Sequence, residues 1–262
     1  MGRDNESRIP IIKGYLLPVM AQAVVVAIIA SGLKKMGTKT GYTSAIGMVL
    51  IGAVGISSAL WGILYQRMQN NRGVLSVVKD FFDVRQPVKA YALVFVFIFI
   101  TFIDSIVTGG FRGVGISTLL LLFLKAVLFG GIEEIGWRYT FQPEVEKKVS
   151  YIPATLITFI CWGIWHFLFF YVDGSMPYVN FIPFYLGLLS TSFILSALFK
   201  STNSLWICVM THALLNAFSQ VEARGAVTGT DELNFIKMMC IKVICIALAV
   251  VVARDVSAKE ER

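Results

Sequence analysis

Two carboxylates and a guanidinium stand close together in Glu133-Glu134-Ile135-Gly136-Trp137-Arg138, at the end of a strongly apolar run. Charged groups are costly in such surroundings, so an ionisable residue there reads first as functional. On a helix Glu134 and Arg138, four residues apart, share a face and can pair, while Glu133 is rotated from Glu134 by roughly 100°. One acid is then engaged structurally and the other is free for chemistry. The two histidines of the chain also interrupt apolar runs: His166 in Cys161-Trp162-Gly163-Ile164-Trp165-His166-Phe167, and His212 in Met210-Thr211-His212-Ala213-Leu214-Leu215-Asn216. Asn216 follows His212 by four and so lies on the same helical face.

These residue types suit one reaction. An apolar surrounding disfavours the charged form of a carboxylate, which makes it a better proton acceptor, so Glu133 can deprotonate a water. One imidazole can orient that water or donate a proton to a leaving amine. The other, with a carboxamide, can hold the oxyanion of a tetrahedral intermediate. The chemistry implied is peptide hydrolysis inside a membrane cavity.

The elements that must position these groups are long apolar segments. Of 262 residues, 56% are hydrophobic and 15% charged, and the mean hydropathy is +0.74; about 25% charged is usual for a soluble domain. The fold class expected is all-α, a polytopic membrane bundle forming a single integral domain over 1–262. About eight spans are expected, at 14–33, 42–65, 90–107, 114–141, 152–172, 178–199, 201–221 and 235–253, each measured against about 30 Å of hydrocarbon. The fourth is expected to stop at Pro143, which cannot continue an ordinary hydrogen-bonded helix. Small residues in the second, Gly47, Gly52, Gly55, Ser57 and Ser58 among them, suit close packing inside the bundle, and 66–89 has the mixed pattern of an amphipathic interfacial helix.

The net charge of +7 comes without a basic stripe or a nucleic-acid motif, so nucleic acid is not expected as a partner and the bilayer is. Orientation accounts for the charge: fourteen Lys and Arg fall on the side of both termini and six on the other, which predicts cytoplasmic termini. In that topology Glu133 lies roughly 12 Å from the cytoplasmic end of span four, and His166 and His212 roughly 21 and 17 Å into spans five and seven. The three depths are expected to converge. Cys161, Cys208, Cys240 and Cys245 lie in apolar segments with no CxxC pair and read as small hydrophobes. Lys125 and Lys242 read as snorkelling or locally paired cations, and Asp104 as an interfacial residue.

The motifs resemble those of the CAAX prenyl endopeptidase and bacteriocin-processing (Abi) family of intramembrane glutamate proteases. Its Glu-Glu-x-x-x-Arg, aromatic-x-x-x-His and His-x-x-x-Asn or Asp patterns read here as Glu133 to Arg138, Trp162 to His166 and His212 to Asn216. The resemblance covers a core at about 114–221. It implies that Glu133 is the water-activating base, that His166 assists it, that His212 and Asn216 form the oxyanion site, and that Glu134, Arg138 and Trp162 support the geometry. It implies no metal and no cofactor, and a peptide or protein substrate in or at the membrane. Trp162 stands where Phe is commoner, an exchange that retains a bulky aromatic.

Three other readings use the same residues. Two histidines and a glutamate could fill three of the four positions around zinc, although HExxH is missing. A non-enzymatic scaffold or bacteriocin-immunity protein could use the cluster for packing against a partner membrane protein. A proton-coupled transporter would be expected to show inverted repeats and paired broken helices, which are not evident. With no eukaryotic features, peptide processing in the cytoplasmic membrane of a prokaryote is the expectation. The sequence specifies neither the substrate nor the oligomeric state.

Overall fold

The computed structural model describes residues 9–222 and 232–260, the side chains of 257–260 excepted. The first residues, most of the polar loop expected before the last span and the end of the charged tail lie outside them. Every described element is a helix, apart from an isolated antiparallel bridge between Phe111 and Glu222. In chain order they are α1 (Ile12–Lys35), α2 (Ala45–Gly55), α3 (Ser57–Asn70), α4 (Val74–Phe81), α5 (Val88–Thr101), α6 (Ile103–Thr108), α7 (Ile116–Glu146), α8 (Tyr151–Asp173), a 3-10 turn (Met176–Tyr178), α9 (Phe181–Thr202), α10 (Leu205–Val221) and α11 (Glu232–Glu260).

The eight expected segments are all present as helix, but they are not eight equal spans. Among the described residues, α1, α7, α8, α9 and α11 are long and apolar enough to cross a membrane, and α2 with α3, bent by 40°, makes a sixth. The other two, α5 and α10, have 14 and 17 residues. At 1.5 Å per residue they cover about 21 and 26 Å, less than the hydrocarbon thickness. Large apolar side chains such as Val49, Leu121, Ile160 and Val251 stay exposed on outward faces. This is an integral membrane protein in which lipid replaces the water that a soluble bundle would meet.

The end of the fourth segment needs correction. It does not stop at Pro143; the helix continues to Glu146. Its first part, Ile116–Phe129, gives way at Gly130 to a 3-10 turn over Gly131–Glu133, and a π turn follows over Trp137–Phe141. The Gln142 amide then donates to Trp137 O, five residues back. A widened turn directly before a proline accommodates the ring and the missing N–H without ending the helix. The same device precedes Pro18, where the Leu17 amide donates to Ile12 O. The irregular stretch of α7 is also the stretch that carries both glutamates.

α3 fastens that stretch from behind. Ser58 Oγ donates to Glu133 O at 3.0 Å, Tyr15 OH and Ser58 Oγ are 2.9 Å apart, and Gln66 Nε2 donates to Tyr139 O at 3.1 Å. The approach is close because glycines face each other: a Cβ on Gly62 would lie 3.0 Å from Gly136 Cα. Of the small residues expected to pack inside, Ser57 and Ser58 are buried and Gly47 is buried against the backbone of Thr40 and Gly41, whereas a Cβ on Gly52 would meet nothing within 4 Å. α4 is the one short helix in the 66–89 stretch, with Val77 and Phe81 turned inward.

Candidate active site

Glu133, His166, His212 and Asn216, from α7, α8 and α10, all line one cavity of about 970 Å³. The observed helix ends change the distances counted along two of these helices. From the observed ends Glu133 is thirteen residues from Glu146, and His212 seven from Leu205, or about 20 and 10 Å. Packing of α10 along α7 brings the groups together.

Glu133 and Glu134 are both buried, at 6% and 0% exposure, yet they face different partners. Glu133 Oε2 accepts a hydrogen bond from Trp162 Nε1 at 2.7 Å, so the acid expected to be free has one indole donor. Its Oε1 makes no hydrogen bond among the described residues. Glu134 lies between two bases: Oε2 is 3.4 Å from Arg138 Nε, and Oε1 is 2.6 Å from His212 Nδ1. The Glu134–Arg138 pairing is thus present, extended by a histidine 78 positions away that spacing could not assign to it.

Arg138 is wholly buried. Its Nη2 donates to Ser192 Oγ at 3.2 Å, and its guanidinium lies 4.0 Å from the centroid of the Trp162 ring. Trp162 therefore holds Glu133 with its N–H and covers Arg138 with its face, an attraction of the cation–π kind. Reading Trp162 as a bulky stand-in for Phe misses the first of these, because a phenyl ring has no donor. Its ring also meets His166 and His212 edge-on, with centroids 5.0 and 5.6 Å away.

The imidazoles are held differently. His166 Nδ1 is 3.0 Å from Trp162 O, one turn back on its own helix. A carbonyl only accepts, so Nδ1 carries the proton and Nε2 presents a lone pair. His212 is tied to Glu134 through Nδ1, which leaves Nε2 as its second group. The Asn216 side-chain amide makes no hydrogen bond among the described residues.

Gly130 was not singled out in the sequence, and the site is built around it. A Cβ there would lie 2.6 Å from Asn216 Nδ2 and 3.1 Å from His212 Nε2. The two nitrogens pack against the backbone at the helix break, so closely that only a residue without a side chain fits beneath them. The signal available was a Gly130-Gly131 pair just ahead of the glutamates. Among the described residues no three His, Cys, Asp or Glu side chains are grouped so as to hold a metal ion.

An all-helical membrane bundle with a buried acid pair, two imidazoles and a carboxamide around one cavity has the form of an intramembrane site rather than a soluble one. Residues 115–218 match the family described as Type II CAAX prenyl endopeptidase, Rce1-like. The chain is also 29% identical over 119 residues to a protein named CAAX prenyl protease 2 from Methanococcus maripaludis. That match covers 42% of this chain and 42% of the relative. The matched segment is the one that carries the site, and the match spans less than half of that relative's length.

Proposed function

We propose that this chain is an intramembrane endopeptidase that hydrolyses a peptide bond of a membrane-associated peptide or protein. The observation that carries the reading is that Asn216 Nδ2 and His212 Nε2 come together over Gly130 on the wall of the cavity that Glu133 also lines. A substrate oxygen in the cavity within reach of both nitrogens can accept from them, as an oxyanion formed beside a buried base requires.

In the reaction, Glu133 Oε1 takes a proton from water while His166 Nε2 orients that water by accepting its other hydrogen. The hydroxide adds to the scissile carbonyl carbon, and the carbonyl oxygen becomes the oxyanion. Asn216 Nδ2 donates to it. His212 Nε2 donates too when it carries a proton, and an imidazolium there sits against the Glu134 carboxylate. With both acids ionised and Arg138 and His212 cationic, the cluster is neutral overall, a condition under which four buried groups are tolerated. The intermediate then collapses, the C–N bond breaks, and the amine leaves with the proton that Glu133 had taken. One water is consumed and one carboxyl and one amine end are formed.

The membrane in question is the cytoplasmic membrane of a prokaryote, with both termini on the positive, cytoplasmic side. The test is comparative peptidomics of cells carrying the wild-type chain or Glu133→Gln, with membrane abundance of the two proteins matched. Peptides that accumulate cleaved only with the wild type support the reading and name the substrate. Identical peptidomes and full cellular function of Glu133→Gln would falsify it and leave a non-enzymatic scaffold.

A further inference from the structure

The cavity occupies one side of the bundle. Its walls come from the end of α5 and from α6, from α7 as far as Glu133, from α8 beginning at Trp162, from α9 up to Thr191, from α10 beginning at His212, and from α11 up to Lys242. Polar contacts hold these ends on a common face. Arg112 N donates to Val221 O at 2.7 Å, Ser105 Oγ donates to Glu222 Oε1 at 2.5 Å, and Lys237 Nζ is 3.7 Å from Asp104 Oδ1. On the opposite face Lys200 Nζ donates to Glu146 Oε2 at 3.2 Å, joining the ends of α9 and α7, and Trp206 Nε1 donates to Tyr91 OH at 3.1 Å, joining the starts of α10 and α5. None of those last four residues borders the cavity.

Exposure of the lining follows the same direction. Glu133, Trp162, Trp165 and His212 are buried, whereas Ser219 and Gln220, in the last turn of α10, are exposed. The mouth is therefore at the face that holds the end of α10, and the candidate catalytic groups form the floor, backed by the buried Glu134–Arg138 pair. Val221 is nine residues from His212, or about 14 Å along the helix. An extended peptide advances about 3.3–3.6 Å per residue, so roughly four residues must enter before a bond reaches the floor. Charge says which compartment the mouth meets. By sequence, fourteen Lys and Arg belong to the termini and the connections opposite the mouth, and six to the connections on its own face. The richer side is the cytoplasmic one.

We infer that the substrate enters from the extracytoplasmic side, so that the bond cut lies in an extended stretch of a peptide or membrane protein outside the cytoplasm. The inference rests on the endopeptidase reading for the ligand being a peptide, and on cytoplasmic termini for the direction. A compact folded domain cannot lower four residues of extended chain to the floor. A chain end or an unfolded linker that has already crossed the membrane can, so export of the substrate precedes its cleavage. From the cytoplasm the same residues would have to pass Glu134 and Arg138, both wholly buried, and the Trp162 ring that lies against the guanidinium.

The experiment reads access to the cavity from each side of the membrane. The full chain, with Cys161, Cys208, Cys240 and Cys245 replaced by alanine, carries one new cysteine: Gln220→Cys at the mouth, Thr191→Cys within the cavity, or Gln86→Cys ahead of α5 on the opposite face. Right-side-out and inverted membrane vesicles are treated with a small methanethiosulfonate bearing a quaternary ammonium, a fixed charge that hydrocarbon excludes. Thiols still free are then labelled with a maleimide after denaturation. Gln220→Cys and Thr191→Cys are expected to lose maleimide labelling in right-side-out vesicles, and Gln86→Cys only in inverted ones. In parallel, the chain with its native cysteines carries a C-terminal tag, which added protease should remove only from inverted vesicles, a result that does not depend on how the cysteine variants fold. Protection of Thr191→Cys in right-side-out vesicles overturns the inference, as does removal of the tag there; the first faults the mouth and the second the orientation. Neither outcome touches the peptidase reading, which fails on unchanged peptidomes in the Glu133→Gln cells whatever the labelling shows.

Discussion

Trp162 Nε1 donates to Glu133 Oε2 at 2.7 Å, so the candidate base is held by an indole from the next membrane helix. The same ring lies under the guanidinium of Arg138. Trp162→Phe separates the two roles, since phenylalanine keeps a face for Arg138 and lacks the N–H. Hydrogen bonds to charged groups contribute about 1.5–3 kcal/mol. With the carboxylate less firmly placed, kcat is expected to fall by about 10-fold while KM and the thermal midpoint in detergent change little. An unchanged kcat would mean that the indole only fills space.

The neighbouring acids should fail in different ways when neutralised. Glu134 is surrounded by Arg138 and His212 with no exposure to the cavity, and Glu134→Gln leaves the Arg138 charge without a counter-ion. Removing one partner of a buried pair destabilises by about 3–5 kcal/mol. The expected result is a lowered unfolding midpoint and reduced yield of folded protein. Glu133→Gln keeps the bond from Trp162 and should leave folding intact while activity is lost. Chemical denaturation of both variants in the same detergent distinguishes them, and equal stability would show that the Glu134 cluster is not the structural one.

Gly130→Ala places a methyl group where Asn216 Nδ2 and His212 Nε2 now converge, 2.6 and 3.1 Å away. The nearest obstacle is the end of a side chain, so Asn216 can swing aside and the fold survives. The donor is lost, and removal of one oxyanion donor lowers kcat by about 100-fold or more. If the alanine acts by displacing Asn216, then Gly130→Ala combined with Asn216→Ala should be no worse than either change alone. Multiplied losses in the double variant would argue against a shared point of action.

The apolar segments and the polar residues inside them were legible because both are local signals: a run of hydrophobic residues, and a charge or imidazole that interrupts it. The Glu134–Arg138 pairing was legible for the same reason, being one turn of helix. What sequence could not supply is whatever depends on a bent backbone or a distant partner. The break at Gly130 and the π turn before Pro143 are registers of hydrogen bonding, and a glycine or proline in an apolar run is compatible with several. His212 meets Glu134 only because α10 packs along α7. The donor on Trp162 was visible as a chemical group, but nothing in its spacing said which acceptor it would find. Likewise α5 and α10 read as full spans from hydropathy, and only the observed ends show them to be short.

Gly136 tests whether the close approach of α3 and α7 is needed to hold the glutamates. A Cβ there would lie 2.1 Å from Ser58 Oγ, 2.3 Å from Tyr15 OH and 2.5 Å from Ser58 O. The last is backbone, so rotating a side chain cannot relieve it, and the helices must part. Overpacking of this kind destabilises by about 1–3 kcal/mol, occasionally more. Parting would also break the bond from Ser58 Oγ to Glu133 O, so the damage should reach activity in whatever protein still folds. Gly52→Ala is the matched control. It lies on α2 with nothing within 4 Å of the added carbon, and alanine is the better helix former by about 0.8–1.0 kcal/mol. Gly136→Ala is therefore expected to lower folded yield and residual kcat together, and Gly52→Ala to leave both unchanged or slightly raised. Similar behaviour of the two variants in size-exclusion profiles and turnover would mean that the α3–α7 contact does not position the site.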